Sequence, residues 1–340
     1  MHVFELTRQL IDIESITPNE REIGNFLWKL LSEMARRFHG NLERMPVEEG
    51  RDNVFVRFDD PVVVLSTHMD TVPPFIASRE DEQHIWGRGA CDTKGIIAAM
   101  IMAAERLLTA GHRNFGLLFV VGEERNSAGA HVAASNPRGS KVLINGEPTD
   151  NRLGLGSKGA LRYEIVAAGR MAHSAYPELG ESAIEKLLDA LERIRRIKLP
   201  RDNILGPSTL NIGTITGGRA PNVIADGAMA EIFVRVVGDV SGLRDEIAAA
   251  ARPSAEAKEV LYIPAVYLGA VDGFETTIVA FTTDIPAFQG AWGKPLLIGP
   301  GSIHLAHTAE ERISKSELIE AIGLYEQLVV RLSSAPSDAI

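Results

Sequence analysis

At 340 residues, 45% hydrophobic and 24% charged, the chain is long enough for two domains and has the composition of a protein that folds throughout. A formal net charge of −10 excludes a general affinity for nucleic acid or anionic membrane, both of which call for a basic surface. A single cysteine, Cys91, excludes an intrachain disulfide framework and suits a reducing compartment, so a cytoplasmic protein is expected.

The opening stretch "MHVFELTRQLIDIE" has no signal-peptide core. Next, Thr17, Pro18 and Glu20 in "SITPNEREIGNFLWKLLSEMARRF" form a capping-box pattern with proline at the first helical position, and they predict a long amphipathic helix starting there. Four short apolar runs follow, "NVFVRF", "PVVVLSTH", "FGLLFVVG" and "KVLING", each reading as a buried strand. Between the second and third lies "TKGIIAAMIMAAERLLTAG", a helix ended by Gly111, whose apolar core meets Glu105 and Arg106 too soon to span a bilayer. This alternation predicts the α/β class, with a mostly parallel sheet flanked by helices. Ligands bind such sheets beyond the carboxyl ends of the strands, where His68, Glu123, Glu124 and Glu147 all lie.

From about Gly159 the rhythm becomes strand, helix, strand, strand, helix, strand, the ferredoxin-like βαββαβ order. It predicts a domain over residues 158–270 inserted into a first domain made of 1–157 and 271–340. After about Asp272 the pattern gives a helix, the strand "KPLLIGPG" and a loop with a closing helix that rejoins the first domain; "SSAPSDAI" reads as a frayed tail.

Chemistry concentrates at the strand ends. In "LSTHMDTVPP", His68 with Asp70 two residues on suits a metal ligand whose other ring nitrogen is held by a carboxylate, although taken alone it reads equally as a surface histidine beside an exposed aspartate. In "GRGACDTKG", Asp92 is either a helix N-cap or a carboxylate whose two oxygens bridge two cations. The glycines there match neither nucleotide-binding spacing, GxGxxG nor GxxxxGK[ST], so a phosphate cradle is discarded. "FVVGEERNSAG" sets Glu123 beside Glu124: a solvated acidic turn, or a division of labour in which Glu124 binds metal and Glu123 is the general base. Glu147 in "INGEPTD" and His307 in "GPGSIHLAHTAEE" complete a mixed nitrogen and oxygen set, His68, Asp92, Glu124, Glu147 and His307, suited to a pair of zinc ions.

With these motifs in order, "HMDTVP", "GRGACDTKG", "GEE", "GEPT", "KGALRYEIVAAGRMAHSA" and "GGRAPNVIAD", the chain resembles the superfamily of metal-dependent aminoacylases, acetylornithine deacetylases, succinyl-diaminopimelate desuccinylases and glutamate carboxypeptidases. The resemblance spans nearly the whole chain. It implies a zinc-peptidase-like catalytic domain with an inserted lid and dimerisation domain, and two zinc ions for which cobalt can substitute. Asp92 would bridge them, with His68 and Glu147 on one ion and Glu124 and His307 on the other. Glu123 would be the base, Asp70 would orient His68, and His173 in "GRMAHSAYP" would reach the partner subunit's site in a homodimer. Asn222 and Arg235 would contact substrate, Arg235 through a carboxylate.

The substrate expected is a small N-acyl amino acid, as for acetylornithine deacetylase, because "GPGSIHLAHTAEE" is similar to those enzymes. The alternatives are a desuccinylase or a carboxypeptidase or dipeptidase for short peptides, and, outside catalysis, a silent binding or scaffold protein. The chain departs from the pattern where many relatives have "GGTDA" and it has "FTTDIPAF", keeping Asp284 but changing the loop. His304 competes with His307 as a ligand; His307 is preferred because Thr308 and Glu311 follow it as in the superfamily.

Overall fold

The computed structural model describes residues 2–334. The chain divides into two compact units, one running up to Leu155 and resuming over Leu268–Thr277 and from Thr283, the other made of Gly156–Tyr267 and Ile278–Thr282. The segment 278–282, expected in the first unit, thus belongs to the inserted one. Of the expected tail, Ser333 and Ser334 end the last helix and 335–340 lie outside the described residues.

The first unit is built on a six-stranded sheet. Its strands are β1 (Asn41–Glu48), β2 (Arg51–Phe58), β3 (Val63–His68), β4 (Phe115–Val120), β5 (Val142–Asn145) and β10 (Lys294–Leu297), in the order β1-β2-β4-β3-β5-β10. The ladders β3/β4, β3/β5 and β5/β10 are parallel, and every residue of β3, β4 and β5 is buried, as continuous apolar runs demand. The sheet is mostly parallel, as expected, but becomes mixed at one edge, where the hairpin β1/β2 joins β4 antiparallel. β1 escapes the sequence reading because it is an edge strand: its exposure is high and Pro46 sits at an irregularity in the pairing, where a missing N–H costs little.

Helices α1 (Val3–Ile11), α2 (Arg21–Phe38), α3 (Gly95–Thr109), α4 (Ala128–Ala134) and, after the insertion, α7 (Lys315–Ser334) cover this sheet. α1 buries Val3, Leu6, Leu10 and Ile11, an amphipathic spacing, in the same core as α3 and α7. The capping box at Thr17 does not form. α2 starts at Arg21 with no side-chain cap; the Thr17 hydroxyl instead donates to Asp70 at 2.7 Å, and the Glu20 carboxylate accepts both Nε (2.7 Å) and Nη2 (2.6 Å) of Arg51. Both side chains are buried, and these buried polar partners prevail over the local cap. Among the described residues no helix is long and apolar enough to cross a membrane.

The inserted unit contains β6 (Gly159–Ala168), α5 (Ala183–Arg195), β7 (Thr209–Gly217), β8 (Gly227–Val236), α6 (Ser241–Ala251) and β9 (Glu256–Ile263). Its sheet runs β7-β8-β6-β9, antiparallel throughout, which is the ferredoxin-like arrangement. Alternate residues Leu161, Tyr163 and Ile165 of β6 and Ile232 and Val234 of β8 pack under Leu187, Leu191, Leu243 and Ile247 of the two helices.

Candidate active site

All the expected donors of the first unit except Asp92 stand at or beyond the carboxyl end of a parallel strand. His68 is the last residue of β3, Glu123 and Glu124 follow β4, Glu147 follows β5, and His307 lies in the loop after β10. Asp92 comes from the loop preceding α3, where its backbone is not helical (φ −126°, ψ 80°). His307 adopts the left-handed conformation (φ 64°), uncommon for a residue with a Cβ.

These residues converge as two clusters sharing one carboxylate. His68, Asp92 and Glu147 present ligand atoms within 4.8 Å of one another, and so do Asp92, Glu124 and His307. The two oxygens of Asp92 are divided between them: Oδ1 lies 3.0 Å from His68 Nε2 and Oδ2 lies 3.2 Å from His307 Nε2. His307 Nε2 is also 3.2 Å from Glu124. Glu123 and the exposed His304 belong to neither cluster.

Asp70 faces His68 with both its main chain and its side chain. The ring Nδ1 of His68 meets the backbone carbonyl of Asp70 at 3.0 Å, and the Asp70 carboxylate only at 3.6 Å. That carboxylate is fully buried and accepts the backbone N–H groups of Gly122 (2.9 Å), Glu123 (3.1 Å) and Glu124 (3.2 Å), besides the Thr17 hydroxyl. It thereby also shapes the turn that carries the paired glutamates. Gly122 enters that turn at φ 83°, where a Cβ would also press on Arg51 at 3.0 Å.

The electrostatics follow from this crowding of buried acids and histidines. Burial opposes charge on His68, but hydrogen bonds to Asp70 and Asp92 prevail and raise its pKa well above the ordinary range. Hydrogen bonds to Asp92 and Glu124 push His307 up to about 10. Burial disfavours the Asp92 anion, yet both histidines hold its carboxyl below the usual range. Burial together with mutual repulsion raises Glu123, Glu124 and Glu147, and takes Asp284 up to about 7. Asp284 Oδ1 is buried with no hydrogen-bond partner. Carboxylates crowded in this way with an orphaned oxygen fit an arrangement completed by cations, which keep such groups ionised.

In the inserted unit His173 and Asn222 are exposed and lie together: His173 bridges Val223 and the Ser174 N–H donates to the Asn222 carbonyl at 3.0 Å. Arg235 is not with them. These loops extend the β6/β8 ladder beyond Gly227, whereas Arg235 sits eight residues further along β8, about 27 Å away at the usual strand rise. Its Nη1 is buried without a partner and its guanidinium stacks over Phe233 at 4.7 Å.

Sequence reasoning missed the parts that support the donors. Arg88, whose Nη1 donates to the buried Glu311 at 2.6 Å, carries no signal in the sequence, Glu311 only its position after His307, and Thr17 the look of a cap.

Nitrogen and carboxylate donors clustered around a shared aspartate could hold a pair of metal ions, a donor set that suits a metal-dependent hydrolase. Residues 64–331 match the model of peptidase family M20/M25/M40. The chain is 38% identical over 340 aligned residues to a peptidase M20 domain-containing protein of Schizosaccharomyces pombe, covering 97% of this chain and 84% of that one. It is also 38% identical to a probable carboxypeptidase of Aspergillus terreus, over 95% of this chain and 84% of the other. Among solved structures a tripeptidase from Staphylococcus aureus superposes with a TM-score of 0.79 at 21% identity, covering 97% of this chain and 98% of that one, a likeness of fold. The chain belongs to peptidase family M20/M25/M40 and is a hydrolase of amide bonds.

Proposed function

We propose that the protein is a dinuclear zinc exopeptidase of the carboxypeptidase or dipeptidase kind, acting on short peptides with a free carboxyl terminus. The observation that carries the chemistry is the division of the Asp92 oxygens between His68 and His307, with Glu123 left outside both clusters. His68, Asp92 and Glu147 would hold one ion and Asp92, Glu124 and His307 the other, donors that suit zinc and accept cobalt. When bound, the ions supply Lewis acidity toward the scissile carbonyl and toward water. Glu123, its affinity for a proton raised by burial, takes the proton of the attacking water and returns it to the departing amine.

The likeness to a probable carboxypeptidase supports peptides over N-acetylornithine, so the deacetylase expectation gives way to its alternative. The buried, unpaired Nη1 of Arg235 supports a role in holding the substrate carboxylate. His173 and Arg235 are too far apart on one sheet to touch the same dipeptide, which spans about 7 Å when extended. Action across a homodimer resolves this, with His173 and Asn222 serving the partner's site. The open edge of β7, with Ile215, Ile184 and Leu188 exposed near it, supports association there.

The test is hydrolysis of a set of dipeptides, their C-terminal amides and N-acetylornithine by zinc-loaded protein. Cleavage of the free dipeptides alone is expected. Turnover of N-acetylornithine with inert dipeptides would restore the deacetylase reading.

A further inference from the structure

Glu311 is a buried carboxylate that the chemistry above leaves unused. It is 2% exposed, and its Oε2 accepts from Arg88 Nη1 at 2.6 Å, with Arg88 equally buried. Its Oε1 accepts the backbone N–H groups of Cys91 and Asp92, each at 3.3 Å. Its own carbonyl receives the Gly87 N–H at 3.0 Å, so the loop of residues 87–92 is bound to this one residue through side chain and main chain.

A buried ion pair adds little net stability, since desolvation offsets most of the attraction. What this pair does that an apolar pair could not is fill a concave run of amides with an anion and so fix the Asp92 peptide. Glu311 also follows His307 by four residues in the loop after β10. A single carboxylate therefore ties the segment bearing His307 to the backbone of Asp92. The other cluster has its own supports: His68 ends a buried strand, and its carbonyl receives the Thr93 hydroxyl at 2.6 Å.

We propose that Glu311, with Arg88 as its counter-charge, is a positioning residue that sets the metal affinity of the Asp92–Glu124–His307 cluster more strongly than that of the His68–Asp92–Glu147 cluster, which shares Asp92 but not the segment bearing His307. This rests on the dinuclear reading given above.

The experiment is a titration of metal-free wild type and Glu311→Gln with zinc by calorimetry, with Glu124→Ala identifying the step that belongs to the second cluster and metal-free melting curves recorded alongside. Glu311→Gln should weaken that step about 10- to 100-fold, the usual cost of losing a residue that orients a ligand, and weaken the other step, which shares only Asp92, by clearly less; equal weakening of both steps would overturn the proposal. Arg88→Lys, which keeps the charge but loosens the carboxylate, should weaken the same step less, and it serves if Glu311→Gln fails to fold. A purely structural role would lower the metal-free melting temperature and leave both affinities at their wild-type values; that result would overturn the proposal while the dinuclear reading stands. Absence of zinc binding by the wild type would overturn both.

Discussion

The two units carry their polar residues in opposite ways. In the first, Asp70, Asp92, Glu147, Asp284 and Glu311 are buried and bound by named donors or crowded against one another. In the second, His173 and Asn222 stand exposed on loops, and Arg235 waits on a strand with an unpaired nitrogen. Dense, over-determined burial is what shifts proton affinities and holds metal ligands at fixed distances, whereas exposed groups on a rigid sheet are suited to meeting a molecule that arrives from outside. On the function proposed above, reaction chemistry belongs to the first unit and recognition and assembly to the second.

The widest break in that contrast should come from removing metal. A chelator should reduce turnover to background, and zinc or cobalt should restore it; activity that survives in fully metal-depleted protein would defeat the assignment. Within the first unit, Glu123→Gln should lower kcat at least ~100-fold with metal content unchanged, while Glu124→Ala should lose metal. Metal assays on both variants separate base from ligand.

The second unit is probed by complementation. His173→Ala should lose on the order of 100-fold in kcat, the usual cost of one oxyanion donor. Mixing it with Glu123→Ala should recover about a quarter of wild-type activity if subunits reassort at random into symmetric dimers, because each mixed dimer then has one intact site. No recovery in proteins shown to exchange subunits would place His173 in its own chain's site. Arg235→Lys should raise KM for free dipeptides by about tenfold, the size of a charge-assisted hydrogen bond. An unchanged KM would remove Arg235 from recognition.

The smallest effect is on stability. His307 has a folded-state pKa of about 10 against an ordinary value of 6.5, so the metal-free protein is stabilised by its charge below about pH 6.5 and loses that contribution as pH rises through about 10. His307 is half exposed, which reduces the effect. Melting temperatures of metal-free protein at pH 7, 8.5 and 10 should fall in that order, and a His307→Asn variant should show a flatter profile.

His68, Glu124 and Glu147 were legible because each marks a junction, an apolar strand giving way to a polar loop, and the α/β rule says where such junctions meet. Asp92 and His307 stand at no such junction, and were legible through the glycine-flanked "GRGACDTKG" and through the family pattern in "GPGSIHLAHTAEE". The residues that hold them were not legible, since their partners are remote in sequence: Thr17 looks like a helix cap until Asp70 is seen beside it, and Glu311 looks like a surface acid until Arg88 is. β1 was missed because an exposed edge strand interrupted by proline has no apolar signature. The separation of Arg235 from His173 needed strand register, which a single sequence does not contain.

The pairing of β10 with β5 also has a consequence for synthesis. Residues 142–145 leave the ribosome long before 294–297, with the whole βαββαβ insertion between them. Until then the nascent first unit displays an unpaired edge on a fully buried strand and lacks His307, so neither the sheet nor the second donor cluster can be finished. The inserted unit, whose sheet is drawn from continuous chain between Gly159 and Ile263, can fold while this edge waits. Chains stopped short of residue 294 should therefore aggregate, and slow translation through 268–297 should burden chaperones more than slow translation within the insertion.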